Sequence, residues 1–302
     1  MERKEGRTRK GFVLVSVLLL GTVFISCATA FAWFSRLQIR SALREKTRLE
    51  NRSMAQILAR AAITGLKAQR FFDYDSLNLP WFKPFLLPVE ERTWVVQITP
   101  LDDKIPLRSV FLPDGSTLRN ELRGTWEDLW AELGRNDLAY AVLDFMDKDA
   151  RPRVGGSERD NHINRYPLDM SELLIVEGMT PETLYGTAEK LGLADYCTLW
   201  SGGKINLNVA PVQVMEVLPG LDRYLAERIA ESREKEPLKN TDDLRGIPGF
   251  PPRAAAALLN LAAFQSQYFS VRIEVIESFG GGASFNVIFD KTSGQITRWE
   301  EI

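Results

Sequence analysis

The chain has 302 residues, of which 45% are hydrophobic and 26% charged, so it can form a folded core in about two domains. Its formal net charge of −2 gives no general attraction to nucleic acid or to an anionic membrane surface. The one histidine, His162, has no second imidazole to complete a metal site, and we expect it in a surface loop. A disulfide between Cys27 and Cys197 is not expected, because Cys27 lies within a long apolar run.

The N-terminus combines a basic segment with this apolar run. Five basic residues precede Gly11, and the 23 residues of 12–34 carry no charge. About 20 apolar residues span the hydrocarbon core of a bilayer as a helix, so 12–34 is predicted to be a transmembrane helix. The basic flank predicts a cytoplasmic N-terminus, with the bulk of the chain on the far side of the membrane.

Four kinds of processing are compatible with this segment. They are a signal peptide cleaved after Ala30, a lipoprotein signal ending at Cys27, a leader cleaved between Gly11 and Phe12, and an uncleaved signal anchor. The downstream sequence favours retention of the apolar run, because residues 22–64 contain no Gly or Pro and apolar residues continue at helical spacing. We therefore predict one unbroken helix of roughly 70–80 Å, in which 35–70 is the amphipathic continuation.

The hexapeptide 11–16, GFVLVS, resembles the prepilin-peptidase site of type IV pilins and type II secretion pseudopilins. The resemblance implies that residues 1–11 are a leader, cleaved between Gly11 and Phe12. Most members carry Glu at the fifth mature position, where this chain has Ser16. That Glu is understood to neutralise the N-terminal ammonium of an adjoining subunit, which a subunit at the filament tip does not need. Among pseudopilins, the large K-type minor subunit is the one without it.

The remaining sequence predicts strands on both sides of a helical block. Residues 71–92, rich in aromatics and prolines, indicate a packed connection, and strands are predicted at 93–99, 107–112, 268–277, 284–289 and 295–299. Short helices are predicted at 126–133, 137–146, 171–176, 181–191, 211–218, 224–233 and 252–264. The predicted fold class is α+β: a pilin-like long N-terminal helix packed on a small antiparallel sheet, with a large all-α domain inserted into the sheet region. The sheet domain is assigned to 71–124 and 266–302, and the insert to 125–265.

Residues 205–265 resemble paired helix-hairpin-helix units. In versions that bind nucleic acid, a Gly-x-Gly hairpin offers backbone N–H groups to a phosphate at a helix N-terminus. Here the second glycine is replaced by Asp222 in one hairpin and by Pro251 in the other. The segment also carries seven basic and eight acidic residues, so little electrostatic affinity for DNA is expected. A membrane-anchored DNA-uptake protein is the alternative function.

Three further phrases resemble K-type pseudopilins: 143–149 with the following 155–158, 166–173, and SGGKINLN at 201–208. The resemblance implies a minor pseudopilin at the tip of a type II secretion pseudopilus, in the bacterial inner membrane with its bulk in the periplasm. Implied partners are the I- and J-type minor pseudopilins, the major pseudopilin and the prepilin peptidase, with no nucleic acid. No catalytic constellation is found, so neither an enzyme nor a required cofactor is predicted.

An acidic cluster follows the predicted helix 137–146 and has two interpretations. Its members are Asp144, Asp147, Asp149, Glu158 and Asp160. Oxygen-rich loops with such spacings can bind Ca²⁺, although the Gly and Glu that an EF-hand requires are missing. The alternative is a solvated helix end, with neighbouring Lys and Arg residues as counter-charges.

Overall fold

The computed structural model describes residues 5–69, 73–277 and 282–302. The chain forms two compact units, Met1–Ile57 and Leu58–Ile302. One helix, α1, runs unbroken from Glu5 to Ala68. Residues 1–4 of the predicted leader, residue 70 of the predicted helix continuation, and residues 71 and 72 of the predicted connection lie outside the described residues.

The described residues of the first unit are helical, and large apolar side chains from Phe12 to Ile57 are exposed. Within Phe12–Ala68 there is an 18-residue window with a mean hydropathy of 2.4, none of which is buried. Phe12 is 74% exposed and Phe31 75% exposed. The length and composition of this helix fit a single-pass membrane anchor.

The second unit contains all the strands that the described residues form. In chain order its elements are β1 (Phe85–Val89), β2 (Arg92–Pro100), β3 (Ile105–Pro106), α2 (Asn120–Leu133), α3 (Ala139–Met146), α4 (Pro181–Tyr185), α5 (Leu193–Tyr196), β4 (Cys197–Thr198), β5 (Ile205–Asn206), α6 (Val212–Glu216), α7 (Arg223–Lys235), α8 (Pro252–Leu258), β6 (Ala262–Ala263), β7 (Tyr268–Glu277), β8 (Gly282–Asp290) and β9 (Ile296–Glu301).

Strands β1, β2, β7, β8 and β9 form one antiparallel sheet in that order. Alternate residues of β2 and β7 are buried, which is typical of a sheet with one apolar face, and β8 also buries the consecutive residues 287–289. Ile98 lies opposite Val271, which in turn lies opposite Val287, and all three are buried. Because β2 and β7 are neighbours, residues 101–267 leave the sheet at the end of one strand and return at the start of the next.

The last turns of α1 belong to the unit that contains the sheet. Ala59, Ile63 and Leu66 are buried at helical spacing. The ring of Trp81 lies so close to Gly65 that an added Cβ would approach it to 3.3 Å. The next residue, Phe82, stacks on Phe269 of β7 with ring centroids 6.0 Å apart. Consecutive aromatic residues of the connection thus contact the helix and the sheet.

Residues 101–267 have an apolar core of their own, built on short helices and two pairs of two-residue strands. Trp126 and Trp130 of α2 are fully buried at its centre, with ring centroids 5.8 Å apart. The strand pairs β3–β4 and β5–β6 are both parallel. A long helix, an antiparallel sheet and several short helices together confirm the predicted α+β class.

Two predictions about strands are wrong, for identifiable reasons. The segment 107–112 is not a strand: Leu107–Ser109 forms a 3₁₀ turn, and Leu107, Val110 and Phe111 are buried at helical spacing. Conversely, β1 forms within the predicted connection 71–92. All five of its residues are exposed, so it lacks the alternation that marks a half-buried strand.

Two predicted helices are too long. The helix predicted at 181–191 ends at Tyr185, because Gly186 has φ 78° and begins a turn. The helix predicted at 252–264 ends at Leu258, and the following residues pair as β6 with β5. In both places hydrophobic residues continue past the end of the helix, so the hydrophobic pattern alone overestimates its length.

Candidate functional site

The acidic cluster is built at the end of α3. Asp144 lies in the last turn of this helix, Asp147 follows it as the C-cap, and Glu158 comes from the next loop. One carboxylate oxygen from each lies within 4.8 Å of the other two. Asp144 and Asp147 are fully buried, and the side chain of Glu158 is 14% exposed. Such a set of oxygen ligands suits a hard cation.

Arg153 lies between two of these carboxylates. Its Nη1 donates to Oδ1 of Asp144 at 2.6 Å and also to Oδ2 of Asp147. The backbone N–H of Arg153 donates to Oδ2 of Asp144 at 3.1 Å, and its Nη2 donates to the carbonyl of Ser116. Arg153 therefore satisfies both oxygens of Asp144 but only one of Asp147.

Two buried carboxylate oxygens of the cluster have no hydrogen-bond partner among the described residues. They are Oδ1 of Asp147 and Oε1 of Glu158. Burial raises the pKa of Asp147 to about 6, although the guanidinium of Arg153 opposes this shift. Burial also raises the pKa of Glu158. Three carboxylates and one guanidinium leave two negative charges when all are ionised, which is the charge that one divalent cation offsets.

The other two predicted members lie elsewhere. Asp149 accepts a hydrogen bond from the backbone N–H of Arg151 at 2.9 Å, and Asp160 is exposed. The solvated-helix-end interpretation is wrong for Asp144 and Asp147, which are buried.

The histidine was also predicted wrongly. The side chain of His162 is 3% exposed, and its Nδ1 lies 3.3 Å from a carboxylate oxygen of Glu158. Its ring packs edge-on against Phe145. It is therefore a buried neighbour of the acidic cluster rather than a surface loop residue.

The two hairpins have the backbone of helix-hairpin-helix units but not the anion-binding chemistry. Gly220 and Gly249 have φ of 79° and 81°, which glycine adopts readily. After the first hairpin, the carboxylate of Asp222 accepts the backbone N–H of Leu225 at 2.8 Å and so occupies the N-terminus of α7. The N-terminus of α8 begins with Pro251 and Pro252, and neither proline has a backbone N–H to donate to an anion.

The SGGKINLN phrase forms a joint between the insert and the sheet around Asp102, a residue that the sequence did not single out. One oxygen of Asp102 accepts from the Ser201 hydroxyl at 2.8 Å and the Gly202 N–H at 2.6 Å. The other accepts the N–H groups of Gln267 and Tyr268, both at 2.8 Å. Burial raises the pKa of Asp102 against these four donors. The carboxylate therefore links the start of β7 to the glycine loop.

The two asparagines of the phrase extend this joint. The Nδ2 of Asn206 donates to Oγ of Ser266 at 2.9 Å. Asn208 exchanges hydrogen bonds with the backbone of Leu238, at 2.7 and 2.9 Å. Both asparagines are buried, which explains why the phrase contains amides among apolar residues.

At the N-terminus, the predicted cleavage residues Gly11 and Phe12 both lie within α1. The hydroxyl of Ser16 donates to the backbone carbonyl of Phe12 at 2.9 Å. Ser16 is thus satisfied within its own helix and places no charge at the fifth position after Gly11.

Comparison with known proteins first defines the class of fold. One chain in the crystal structure of the GspK–GspI–GspJ complex from the enterotoxigenic Escherichia coli type 2 secretion system matches with a TM-score of 0.63 and 17% identity. The match covers 88% of this chain and 99% of that chain. The pilin-like α+β fold predicted from the sequence is therefore confirmed. In addition, residues 201–260 match the helix-hairpin-helix motif family.

At the level of sequence, the chain is 25% identical over 147 residues to the type II secretion system protein K of Dickeya chrysanthemi. This match covers 45% of the chain and 40% of that protein, so it spans less than half of the relative's length. Together with the structural match, it confirms the resemblance to K-type pseudopilins that the sequence motifs indicated.

Proposed function

We propose that this protein is a K-type minor pseudopilin of a type II secretion system and forms the tip of its pseudopilus. Its role is structural: it assists pseudopilus assembly during protein export across the outer membrane and catalyses no reaction. The observation that carries this proposal is a pilin-like fold whose apolar helix has the uncharged Ser16 at the fifth position after Gly11.

Two features support a place at the tip. A subunit inside a filament has a neighbour ahead of it, whose N-terminal ammonium needs a counter-charge in the apolar bundle. Ser16 supplies none, so this chain suits the one position that has no subunit ahead. Residues 101–267, which leave the sheet between β2 and β7, add bulk that is difficult to stack regularly along a filament body.

The proposal includes partners and a location. The similar E. coli chain belongs to a complex of GspK, GspI and GspJ, and we infer I- and J-type minor pseudopilins and the major pseudopilin as partners of this chain. They would contact it through the helix from residue 12 to residue 66. The helix would anchor the protein in the inner membrane, with the remaining mass in the periplasm, after a prepilin peptidase removes residues 1–11.

N-terminal sequencing of the protein, expressed with and without a prepilin peptidase, tests this assignment. We expect a mature N-terminus at Phe12 only when the peptidase is present. Gly11→Ala should block this cleavage. Gly21→Ala is the matched control, because nothing lies within 4 Å of a Cβ added there. A mature N-terminus at Phe31, or an uncleaved Met1 in the presence of the peptidase, would contradict the pseudopilin assignment.

Co-purification tests the partners and separates them from the alternative of DNA uptake. The full-length protein should be recovered in detergent with co-expressed I- and J-type pseudopilins. It should not retain double-stranded DNA at physiological salt, because Asp222 and Pro251 remove the phosphate-binding groups from both hairpins. If the protein did retain DNA, and replacing Arg228 and Arg253 by Gln weakened this binding, the DNA-uptake function would be supported instead.

We propose, separately, that Asp144, Asp147 and Glu158 bind a calcium ion. The unpaired buried oxygens of Asp147 and Glu158 support this site, since a carboxylate without a partner is costly to bury. Calcium takes six to eight oxygen ligands, so backbone carbonyls or water would complete the shell. Arg153 offsets one of the three carboxylate charges, and the ion would offset the other two.

Thermal unfolding of the full-length protein in detergent tests the calcium site. Calcium at about 100 times its dissociation constant should stabilise the fold by about 2.7 kcal/mol relative to chelator. Asp147→Asn should abolish this gain. Asp149→Asn, at a nearby carboxylate outside the cluster, should retain it. An equal calcium response in both variants would exclude the cluster as the binding site.

A further inference from the structure

A basic pocket lies beside the SGGKINLN joint. It has a volume of about 400 Å³, which falls within the range of about 300–1,000 Å³ that ligand pockets occupy. Three cationic side chains, those of Arg108, Arg119 and Lys148, contribute to its lining. Phe111 and Tyr166 line it as well, and no acidic side chain does among the described residues.

Two of the three cations have no anionic partner. The guanidinium of Arg108 lies over the ring of Trp200, 4.8 Å from its centroid, and makes no hydrogen bond or ion pair within the described part of the chain. Its Nε–H is buried without an acceptor, which leaves a strong donor unused. The ammonium of Lys148 likewise has no acceptor among the described residues. Lys148 is exposed to solvent, so the unsatisfied donor of this pair is the buried Nε–H of Arg108.

The third cation forms part of the pocket wall. The Nη1 of Arg119 donates to the carbonyl of Ser109 at 3.3 Å and to that of Gly203 at 3.4 Å. Both bonds are long, and both acceptors are neutral. Arg119 therefore holds the loop at Gly203 against the segment before α2, and its Nε forms an ion pair with Glu121 at 4.0 Å.

The aliphatic part of the Lys148 side chain packs on the turn at Gly115. Gly115 has φ 82°, and a Cβ added there would lie only 2.5 Å from Cδ of Lys148. The backbone N–H of Lys148 also donates to the carbonyl of Gly115 at 3.1 Å. The lysine stem thus lies directly on the glycine, and any larger residue at 115 would displace it from the pocket wall.

An apolar wall faces these charges. The rings of Phe111 and Tyr166 lie 6.1 Å apart, and the neighbouring Leu112 is 43% exposed. A pocket with unpaired cations beside exposed apolar surface suits a carboxylate that is carried next to a hydrophobic side chain. A nucleic acid backbone fits less well, because it requires a groove that follows successive phosphates rather than a single pocket.

We propose that this pocket binds an acidic peptide segment of a partner protein. One carboxylate lies among Arg108, Arg119 and Lys148, where the guanidinium groups give charge-assisted hydrogen bonds. An adjacent aliphatic side chain of the peptide packs on Leu112 and Tyr166. The carboxylate belongs either to an acidic side chain or to a chain end, and the two sources share the same chemistry. This proposal does not depend on the place of the protein in a pseudopilus.

Equilibrium dialysis with radiolabelled tripeptides tests the proposal on the full-length protein in detergent. The probes are an N-acetylated, C-amidated Leu-Glu-Leu, its Leu-Gln-Leu analogue, and Leu-Gln-Leu with a free terminal carboxylate. We expect the amidated Gln peptide to bind at least tenfold more weakly than the Glu peptide. Tight binding of the third probe would assign the pocket to a chain end, and weak binding would assign it to a side chain.

Single substitutions test whether the peptide binds in this pocket. Arg108→Gln and Lys148→Gln should each weaken the tighter carboxylate probe about tenfold. Lys148→Gln should leave the melting temperature unchanged, because its ammonium has no polar partner to lose, whereas Arg108→Gln should lower it slightly through loss of the contact with Trp200. Lys83→Gln removes the same charge from an exposed residue outside the pocket and should change nothing. The proposal is overturned if the amidated Gln peptide binds as well as both carboxylate peptides, if the pocket variants match Lys83→Gln, or if inorganic phosphate competes as well as the peptide.

Discussion

Asp102 and Asp147 are both buried carboxylates, but they differ in how completely their oxygens are paired. Four donors, three of them backbone N–H groups, satisfy both oxygens of Asp102. Arg153 satisfies one oxygen of Asp147, and the other has no partner among the described residues. Burial alone therefore does not mark a functional site: a fully paired carboxylate holds chain segments together, whereas a partly paired one has capacity left for a ligand.

The donors at the two sites also differ, because backbone N–H groups pair with Asp102 and a side-chain guanidinium pairs with Asp147. Backbone N–H groups are fixed by the fold, so the surroundings of Asp102 cannot rearrange without opening the joint between the loop at 201–202 and β7. The guanidinium of Arg153 is at the end of a flexible side chain and pairs with only one oxygen of Asp147, so the other oxygen stays open to a ligand. Experiments that remove one donor or one charge at each site test this comparison.

The largest effect is expected for Arg153→Met in calcium-free buffer. This change leaves Asp144 and Asp147 buried without their counter-charge, which should lower the free energy of unfolding by about 3–5 kcal/mol. Urea unfolding of the full-length protein in detergent measures the loss. Saturating calcium should recover part of it, because the ion supplies the missing positive charge. Arg151→Met is the matched control and should change stability by about 0.5 kcal/mol or less, since that side chain is exposed. No loss in Arg153→Met would mean that the guanidinium does not hold the cluster.

A somewhat smaller effect is expected for Asp102→Asn. The amide keeps one acceptor oxygen but points its NH₂ group at two donors, so the free energy of unfolding should fall by about 2–4 kcal/mol. Unlike the change at Arg153, this loss should be the same with and without calcium. Asp103→Asn serves as control, because the Asp103 side chain accepts no hydrogen bond from another described residue. If calcium restored the free energy of unfolding of Asp102→Asn, the sites at Asp102 and Asp147 would not differ in their response to calcium.

The difference between Asp102 and Asp147 also shows which features can be predicted from a sequence. The strands β2, β7 and β8 follow their predictions closely, because alternation on a half-buried sheet is a local signal. Asp144, Asp147 and Glu158 were found because their spacing is local too. Asp102 was not found, because its donors lie 100 and 165 residues further along the chain. Nothing in the sequence around Asp102 records that long-range pairing.

Sequence patterns also fail where a strand does not alternate between buried and exposed residues, and where a residue's role depends on its surroundings. Strand β1 is exposed along its whole length, so no alternation reveals it. The unpaired state of Arg108 and Lys148 is a property of their surroundings, and a charge count treats them like any other basic residue. Among the five acidic residues proposed from spacing, Asp144, Asp147 and Glu158 bring carboxylate oxygens within 4.8 Å of one another, and that approach depends on how the loop packs.

The smallest predicted effect is a pH dependence confined to the cluster of Asp144, Asp147 and Glu158. The pKa of Asp147 is about 6 in the fold and close to 3.8 when exposed. Between these values the folded state binds more protons than the unfolded state, so stability falls as pH rises. In chelator, the unfolding free energy of the wild type relative to Asp147→Asn should fall by roughly 2 kcal/mol from pH 4 to pH 6.5 and then level off.

Calcium should reverse the direction of this dependence, because only the ionised carboxylate ligates the metal. The stabilisation by calcium in the wild type should therefore grow as pH rises through about 6 and stay near zero in Asp147→Asn. Urea titrations at half-unit pH intervals, with chelator or with calcium, measure both slopes. If the wild type and Asp147→Asn gave parallel curves in chelator, the raised pKa would have to be reassigned to another group. The spare oxygen of Asp147 would then be hydrated or paired, like those of Asp102, and the distinction between the two carboxylates would fail.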